Sequence, residues 1–270
     1  MTPFDELLDD LADEQGALDL VLARMTAAQW DLPSHAPGWR VRDQITHLAH
    51  FDEKAALAIA DADAFRADAA ATRGAEGRDR YEARYLQRGR AVTPGALVDW
   101  WRRAGAALVA AARALDGKAR LPWYGPDMSA RSFVTARLME TWSHGLDVVD
   151  VVGLSRPDTD RLRHVVHLGL ITRRFSYVTR GLPPDDTPIH VELTAPSGAA
   201  WTFGEPTAEN RIAGSARDFC RVVTQRRHVA DTHLRITGPA AEEWMRLAQA
   251  FAGPPGEGRR PGQFPPDDRP

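Results

Sequence analysis

Glu140 and His144, in Met139-Glu140-Thr141-Trp142-Ser143-His144-Gly145-Leu146-Asp147, stand four positions apart. On a helix that spacing puts both side chains on one face, a turn from each other. A carboxylate and an imidazole presented together can share one hard or borderline cation. Two ligands leave the cation incomplete, so a third must come from another segment. His47, in Arg42-Asp43-Gln44-Ile45-Thr46-His47-Leu48-Ala49-His50, is the best donor. The reading is a two-His, one-Glu metal site between two helices of a bundle. An open coordination position would make it catalytic rather than structural.

Other polar groups lie close in helical space. Asp43 precedes His47 by a turn and Asp147 follows His144 by nearly one, so either could fix the tautomer of a ligand imidazole. His50 could add a fourth ligand or shuttle protons, but it sits about 60° round the helix from His47. Arg137 could orient Glu140 or receive an anionic substrate. Plainer readings stand beside each of these. A Glu/His pair at this spacing can be a surface pair worth about half a kcal/mol or less. The acids and the arginine can be solvated, and a lone histidine at a helix edge is usually packed. Glu140 shares its face with Phe133 and Arg137, a face that also carries bulk, which favours the metal reading.

The elements that must position these groups follow from periodicity. Phe4, Leu7, Leu8, Leu11, Leu18, Val21, Leu22 and Met25 predict a helix over 3–28. Pro33, Pro37 and Gly38 make 30–39 a loop. Val41, Ile45, Leu48 and Ile59 form the stripe of a second helix over 41–61, with His47 at its edge. The stretch 61–90, rich in Ala, Asp and Arg, reads as a short helix and then a mobile connection. Thr93-Pro94 opens a helix that runs to Gly117. After a loop over 121–128, Ser129 caps the ligand-bearing helix, which ends at Gly153. A further helix over 158–180 is expected to pack on the resulting four-helix bundle. Beyond Pro184 the period falls to two, giving strands over 189–194 and 200–203 around a Pro196-Ser197-Gly198 turn. A helix over 215–228, a strand over 232–237 and a helix over 240–251 complete a small α+β domain. The expected organisation is α+β: a bundle over 1–183, a small domain over 184–253, and a Pro/Gly-rich tail over 254–270 whose end is disordered.

Composition narrows the function class. The chain has 270 residues, 43% of them hydrophobic and 26% charged, ample material for a soluble core. The formal net charge of −3 gives no support to a nucleic-acid partner. No apolar run is long enough for a bilayer and no signal pattern opens the chain, so a cytoplasmic location without membrane contact is expected. The one cysteine, Cys220, rules out an internal disulfide and a thiolate-rich zinc site. Its neighbours Phe219, Val222 and Val223 place it in a core rather than at a reaction centre. There is no glycine-rich phosphate loop and no Gly-x-Ser-x-Gly elbow. The arginines Arg221, Arg226 and Arg227 can bind an anion or form a solvated face.

The segments 38–48 and 136–147 resemble those of the DinB-like metal-binding proteins, in particular the mycothiol-dependent maleylpyruvate isomerase family. The resemblance covers roughly two-thirds of the chain. It implies a DinB-like four-helix bundle in which His47, Glu140 and His144 bind a divalent metal, zinc first, with nickel, iron and manganese as alternatives. It also implies a sterol-carrier-like C-terminal region, in which Gly214-Ser215-Ala216-Arg217-Asp218-Phe219 leads to a catalytic arginine at Arg226, with the neighbouring Arg227 as an equally basic alternative. Trp123-Tyr124-Gly125-Pro126 and Phe251-Ala252-Gly253-Pro254-Pro255 point to a separate metal-binding branch. The expected function is metal-dependent activation of a low-molecular-weight thiol, mycothiol by resemblance, for S-transfer to or isomerisation of a small electrophile, by a monomer or homodimer. The alternatives are a metal-dependent hydrolase that activates water and a metal-dependent binding module without turnover.

Overall fold

The structure is a computed structural model that describes residues 2–264. Its contacts divide the chain into two compact units, 1–156 and 157–270. The first is helical and the second mixes helices with a small sheet, the α+β organisation expected.

The first unit begins with α1 (Pro3–Leu22), opened by a capping box between Thr2 and Asp5. The helix stops earlier than its apolar spacing suggests. Thr26 and Gln29 form a second box that starts a separate 3-10 turn, Ala27–Asp31. The helix α2 (Val41–Ala60) carries His47. Its inner face is Val41, Ile45, Leu48, Ala55 and Ala58, while Ile59 is only half-buried.

Residues 61–90 are two helices, α3 (Ala62–Ala70) and α4 (Gly74–Arg90), where a mobile connection was expected. Although α4 is polar, it buries Gly77, Tyr81, Tyr85, Leu86 and Gly89, a stripe at three- and four-residue steps. Few of these are aliphatic, which hides the period. The next helix, α5 (Pro94–Ala112), is capped by the Thr93 hydroxyl. A two-residue ribbon of β1 (Arg120–Leu121) and β2 (Met128–Ser129) frames the Trp123-Tyr124 loop. Ser129 caps α6 (Ala130–Val152), and Gly153 ends it in the left-handed conformation, φ 70°. Four helices form the core: α5 and α6 pack on α2, α6 and α5 pack on α1, and α3 and α4 flank α2.

Two close approaches set the spacing near the ligands. A Cβ on Gly89 would lie 1.9 Å from Thr46 Oγ1, so α4 meets α2 there with no room for a methyl group. A Cβ on Gly145 would lie 2.3 Å from Arg156 Nη1. Arg156 crosses α6 at that glycine, donates to Trp142 O and pairs with the buried Glu14 at 3.1 Å.

In the second unit α7 (Leu162–Ile171) and α8 (Arg173–Val178) replace the single helix expected over 158–180. They belong with this unit rather than with the bundle, and α7 packs on α9 (Ala216–Val223). The contact division therefore falls before 157, not after 183. The strands β3 (Ile189–Thr194) and β4 (Ala200–Phe203) form the expected hairpin. A strand not foreseen, β5 (Asn210–Ser215), runs parallel to β3, and β6 (Arg235–Thr237) pairs antiparallel with β5. The sheet order is β4-β3-β5-β6. Then α10 (Pro239–Leu247) packs on β5 and β6. The expected tail is docked as far as it is described: Gly262 N and Phe264 N both donate to Asp231. The end expected to be disordered, residues 265–270, lies outside the described residues.

Gly89→Ala should lower the stability of the first unit by about 1–3 kcal/mol, the usual range for an overpacked core. Urea unfolding followed by tryptophan fluorescence reads this as an earlier transition. Adding Thr46→Ala in the same chain should recover most of the loss, because it removes the group the new methyl meets.

Candidate metal centre

His47 projects from α2 and Glu140 and His144 from α6, and the three converge. One ligand atom from each lies within 4.8 Å of the others. Glu140 Oε2 stands 3.0 Å from His144 Nε2 and 3.7 Å from His47 Nε2. Nothing else among the described residues forms a comparable group of His, Cys, Asp and Glu.

Hydrogen bonds aim both rings. His144 Nδ1 lies 2.5 Å from Gln44 Oε1, and the Gln44 amide nitrogen donates to Ser34 Oγ at 2.9 Å. A carbonyl oxygen only accepts, so Nδ1 is the donor, which leaves Nε2 facing Glu140. Nε2 and Glu140 Oε2 stand 3.0 Å apart, a separation held by positive charge at that place, either a proton on Nε2 or a cation beside both. A divalent cation supplies that charge, and two imidazoles and a carboxylate are a suitable donor set for it. The residues fit the group that the sequence suggests. His47 Nδ1 is turned to the Tyr85 hydroxyl at 3.4 Å, which leaves its Nε2 for the centre.

The electrostatics agree. Burial lowers the His47 pKa to about 3, with the neighbouring His144 ring adding to the effect, so the imidazole is neutral and able to ligate at pH 7. For Glu140 burial alone would raise the pKa. Its contacts with His144 and His47 outweigh that and hold it well below the usual carboxylate range, as an anion.

Aromatic rings enclose the trio. Trp39 stacks on His144, with centroids 6.0 Å apart and an interplanar angle of 17°, and lies 5.5 Å from His47. Phe51 sits 4.5 Å from His47 on another side. These rings cover part of the centre, while His47 and Glu140 stay partly accessible, with side chains 18% and 21% exposed.

The other expected site residues have different partners. Asp43 does not meet an imidazole. It accepts from Arg40 N at 2.8 Å as the helix cap of α2 and pairs with Arg90 Nη2 at 2.6 Å, joining α2 to the end of α4. Asp147 is 3.8 Å from His144 Nδ1, but Gln44 holds the hydrogen bond. His50 is not a fourth ligand: its Nε2 is 2.9 Å from the Tyr81 hydroxyl and its ring stacks on Tyr85. Arg137 neither orients Glu140 nor faces a substrate. It is buried, and its Nε and Nη2 both lie 2.9 Å from Asp52 Oδ1. Arg226 belongs to the second unit, just beyond α9, where its Nη1 donates to Thr224 O. Sequence reading missed Gln44, Trp39, Phe51, Asp52 and Tyr85. The Tyr81/Tyr85 spacing of four was the available signal for the last of these.

Residues 11–149 match the family described as mycothiol maleylpyruvate isomerase N-terminal domain. The chain belongs to that family. Uncharacterized proteins from two strains of Mycobacterium tuberculosis are each 42% identical to it over 252 residues, covering 93% of this chain and 96% of the relative. Crystal structures of the mycothiol-dependent maleylpyruvate isomerase and of a histidine-to-alanine mutant share its fold, with TM-score 0.56 at 18% identity. They cover 84% of this chain and 90% of theirs. Among the described residues no helix is long and apolar enough to cross a membrane.

His47→Ala, Glu140→Ala and His144→Ala should each reduce bound metal from near stoichiometric to a small fraction, measured by elemental analysis of purified protein. Gln44→Ala and Tyr85→Phe should weaken metal affinity by about ten- to a hundredfold without abolishing it. Asp43→Ala should lower thermal stability and leave metal affinity unchanged, since its contacts are to a helix cap and Arg90.

Proposed function

We propose that the protein is a metal-dependent enzyme that activates an external low-molecular-weight thiol, mycothiol by family, for S-transfer to a small electrophilic substrate or for its thiol-assisted isomerisation. The observation that carries the proposal is the ligand trio with both Nε2 atoms aimed at one carboxylate, in a chain that offers no competent nucleophile of its own. Cys220 is fully buried, burial raises its thiol well above the usual range, and its sulfur faces Leu162 O. A borrowed thiol supplies what the chain lacks.

His47, Glu140 and His144 would hold the cation. When bound, it supplies the positive charge that keeps a thiol deprotonated at neutral pH. Gln44 and Tyr85 keep the ligand rings turned, so the site is preorganised before substrate arrives. Trp39 and Phe51 keep water from the sulfur and from the electrophile. In the isomerase form of the reaction, sulfur adds to an activated double bond, the resulting single bond rotates, and sulfur departs with the double bond restored. The thiol is then regenerated. In the transfer form, sulfur displaces a leaving group that departs with its electron pair.

Cobalt-substituted protein titrated with mycothiol should show a change in the visible absorption of the metal. No change at saturating thiol would overturn the thiol reading. A screen of unsaturated acids and esters with and without thiol should give turnover only with it, whereas thiol-independent ester cleavage would favour a hydrolase.

A further inference from the structure

In the second unit, the way α9 ends is unusual. Gln225 N donates to Val222 O at 2.9 Å and Arg226 N to Arg221 O at 2.8 Å, the paired bonds of a Schellman cap. The residue that turns the chain there is Gln225, φ 58°, the one non-glycine residue at positive φ among the described residues. Glycine is the common choice at that place, because a Cβ is disfavoured in the left-handed region. A glutamine held there points to a task for its side chain. Its Nε2 donates to Ala248 O at 3.1 Å, and its Oε1 lies against Gly256, where a Cβ would stand 3.3 Å away. The side chain clasps the C-terminal segment.

Further along, Arg260-Pro261-Gly262-Gln263 makes a tight turn. Gln263 N donates to Arg260 O at 3.2 Å, Gln263 Oε1 accepts from Arg260 N at 3.2 Å, and Gly262 takes φ 78°. Proline second and a positive-φ glycine third are what a type II turn requires. The turn sends two amides the same way: Gly262 N and Phe264 N donate to separate oxygens of Asp231, at 2.6 and 3.2 Å. Asp231 is buried, at the end of the 3-10 turn Val229–Asp231 that His228 caps. A buried carboxylate needs such donors, and here the tail provides them. The Phe264 ring then meets the Arg227 guanidinium at 4.2 Å from its centroid, with Arg259 at 5.8 Å.

Between these clasps, Pro254, Pro255, Gly256, Glu257 and Gly258 are all exposed. The prolines limit what a released segment can explore and the glycines let it bend, so this stretch is a short tether. Its inner end is fixed. Ala250 N donates to Val223 O at 2.7 Å, and the Gln249 amide nitrogen to Phe251 O and Gly253 O at 3.2 Å each. Undocking therefore swings only the part beyond Gly253.

We propose that residues 254–264 form a strap that closes on the loop over 224–231 and withholds Arg227, with Asp231 as its catch and Gln225 as its second clasp. Docked, the strap sets an internal aromatic ring against the guanidinium that the loop carries. Lifted, it leaves Arg227 open to an outside partner. Every contact of the strap named above lies within the second unit, so the device stands apart from the metal and thiol readings.

Labelling of arginines in the full-length protein with phenylglyoxal, read site by site by mass spectrometry, tests the strap. Arg235, exposed on β6, is the internal reference, and alkylation of the buried Cys220 reports loss of the fold. In the parent, Arg227 should react more slowly than Arg235. Asp231→Ala should raise the Arg227 rate by at least about tenfold, the weight of one charge-assisted hydrogen bond, with Arg235 and Cys220 unchanged. Gly262→Val, on the strap itself and away from Arg227, should do the same, because valine resists the left-handed conformation of the turn. Gln225→Gly should also speed Arg227 without lowering the melting temperature, since glycine suits the cap it enters. Arg227 reacting as fast as Arg235 in the parent, or at the parent rate in Asp231→Ala with Cys220 protected, overturns the strap. If Asp231→Ala exposes Cys220, Gly262→Val decides: a faster Arg227 supports the strap and the parent rate overturns it.

Discussion

The Asp52–Arg137 ion pair holds α2 against α6 in a place without solvent. Both side chains are almost completely buried, and a single Asp52 oxygen takes both guanidinium contacts. Burial raises the Asp52 carboxyl against the lowering effect of Arg137, so the charge there is costly and depends on its partner staying in place. Removing one member of such a pair costs about 3–5 kcal/mol, a large part of the ~5–15 kcal/mol that stabilises a typical domain. Asp52 follows His47 on α2 by five positions, and Arg137 precedes Glu140 on α6 by three. A slide or rotation that would misalign the ligands would also pull these charges apart. Register of the ligands and survival of the ion pair are the same geometric requirement.

Around that fixed crossing, the work of shaping the centre is divided. Three side chains converge there, and Gln44 and Tyr85 orient two of them. Enclosure belongs to Trp39 and Phe51. The second tier of polar contacts is further out: the Tyr81 hydroxyl meets His50, Asp68 and Tyr124 at 2.9 Å each, and Lys54 pairs with Asp68 at 2.8 Å. That network ties α3, α4 and the Trp123-Tyr124 loop to α2. It explains why a polar helix such as α4 is held firmly: its anchors are hydrogen-bonded aromatics rather than aliphatic stripes.

The ligand trio was legible because helical spacing is a strong local rule and because Ser129 and Gly153 mark the ends of α6 plainly. The fold class was legible for the same reason, since aliphatic periodicity marks α1, α2, α5 and α6. What could not be read depends on partners distant in sequence. Asp43 has the right spacing to support His47, yet the helix cap and Arg90 compete for it and win. Arg137 has the right spacing to serve Glu140, yet Asp52 lies across the helix interface. Gln44 looks like an ordinary polar residue until α6 is placed opposite it. The strand β5 was invisible because Ile212 is its one large aliphatic residue, and its pairing with β3 is nonlocal. The α7 break at Thr172 likewise follows from packing within the second unit and leaves no proline or glycine as a mark.

The ligands come from α2 and α6, and α3, α4 and α5 lie between them in the chain. His47 and Glu140 are 93 positions apart, so bringing them together closes a long loop whose entropy must be met by the packing of everything inside it. Local helices can form early, but His47, Glu140 and His144 meet only once the intervening helices are seated. Their convergence therefore comes at the end of folding and reports that the chain has threaded correctly. A chain with α4 detached would lose Tyr85 behind His47 and with it the contact that turns that ring. The meeting of the three side chains thus separates finished molecules from those that have stalled.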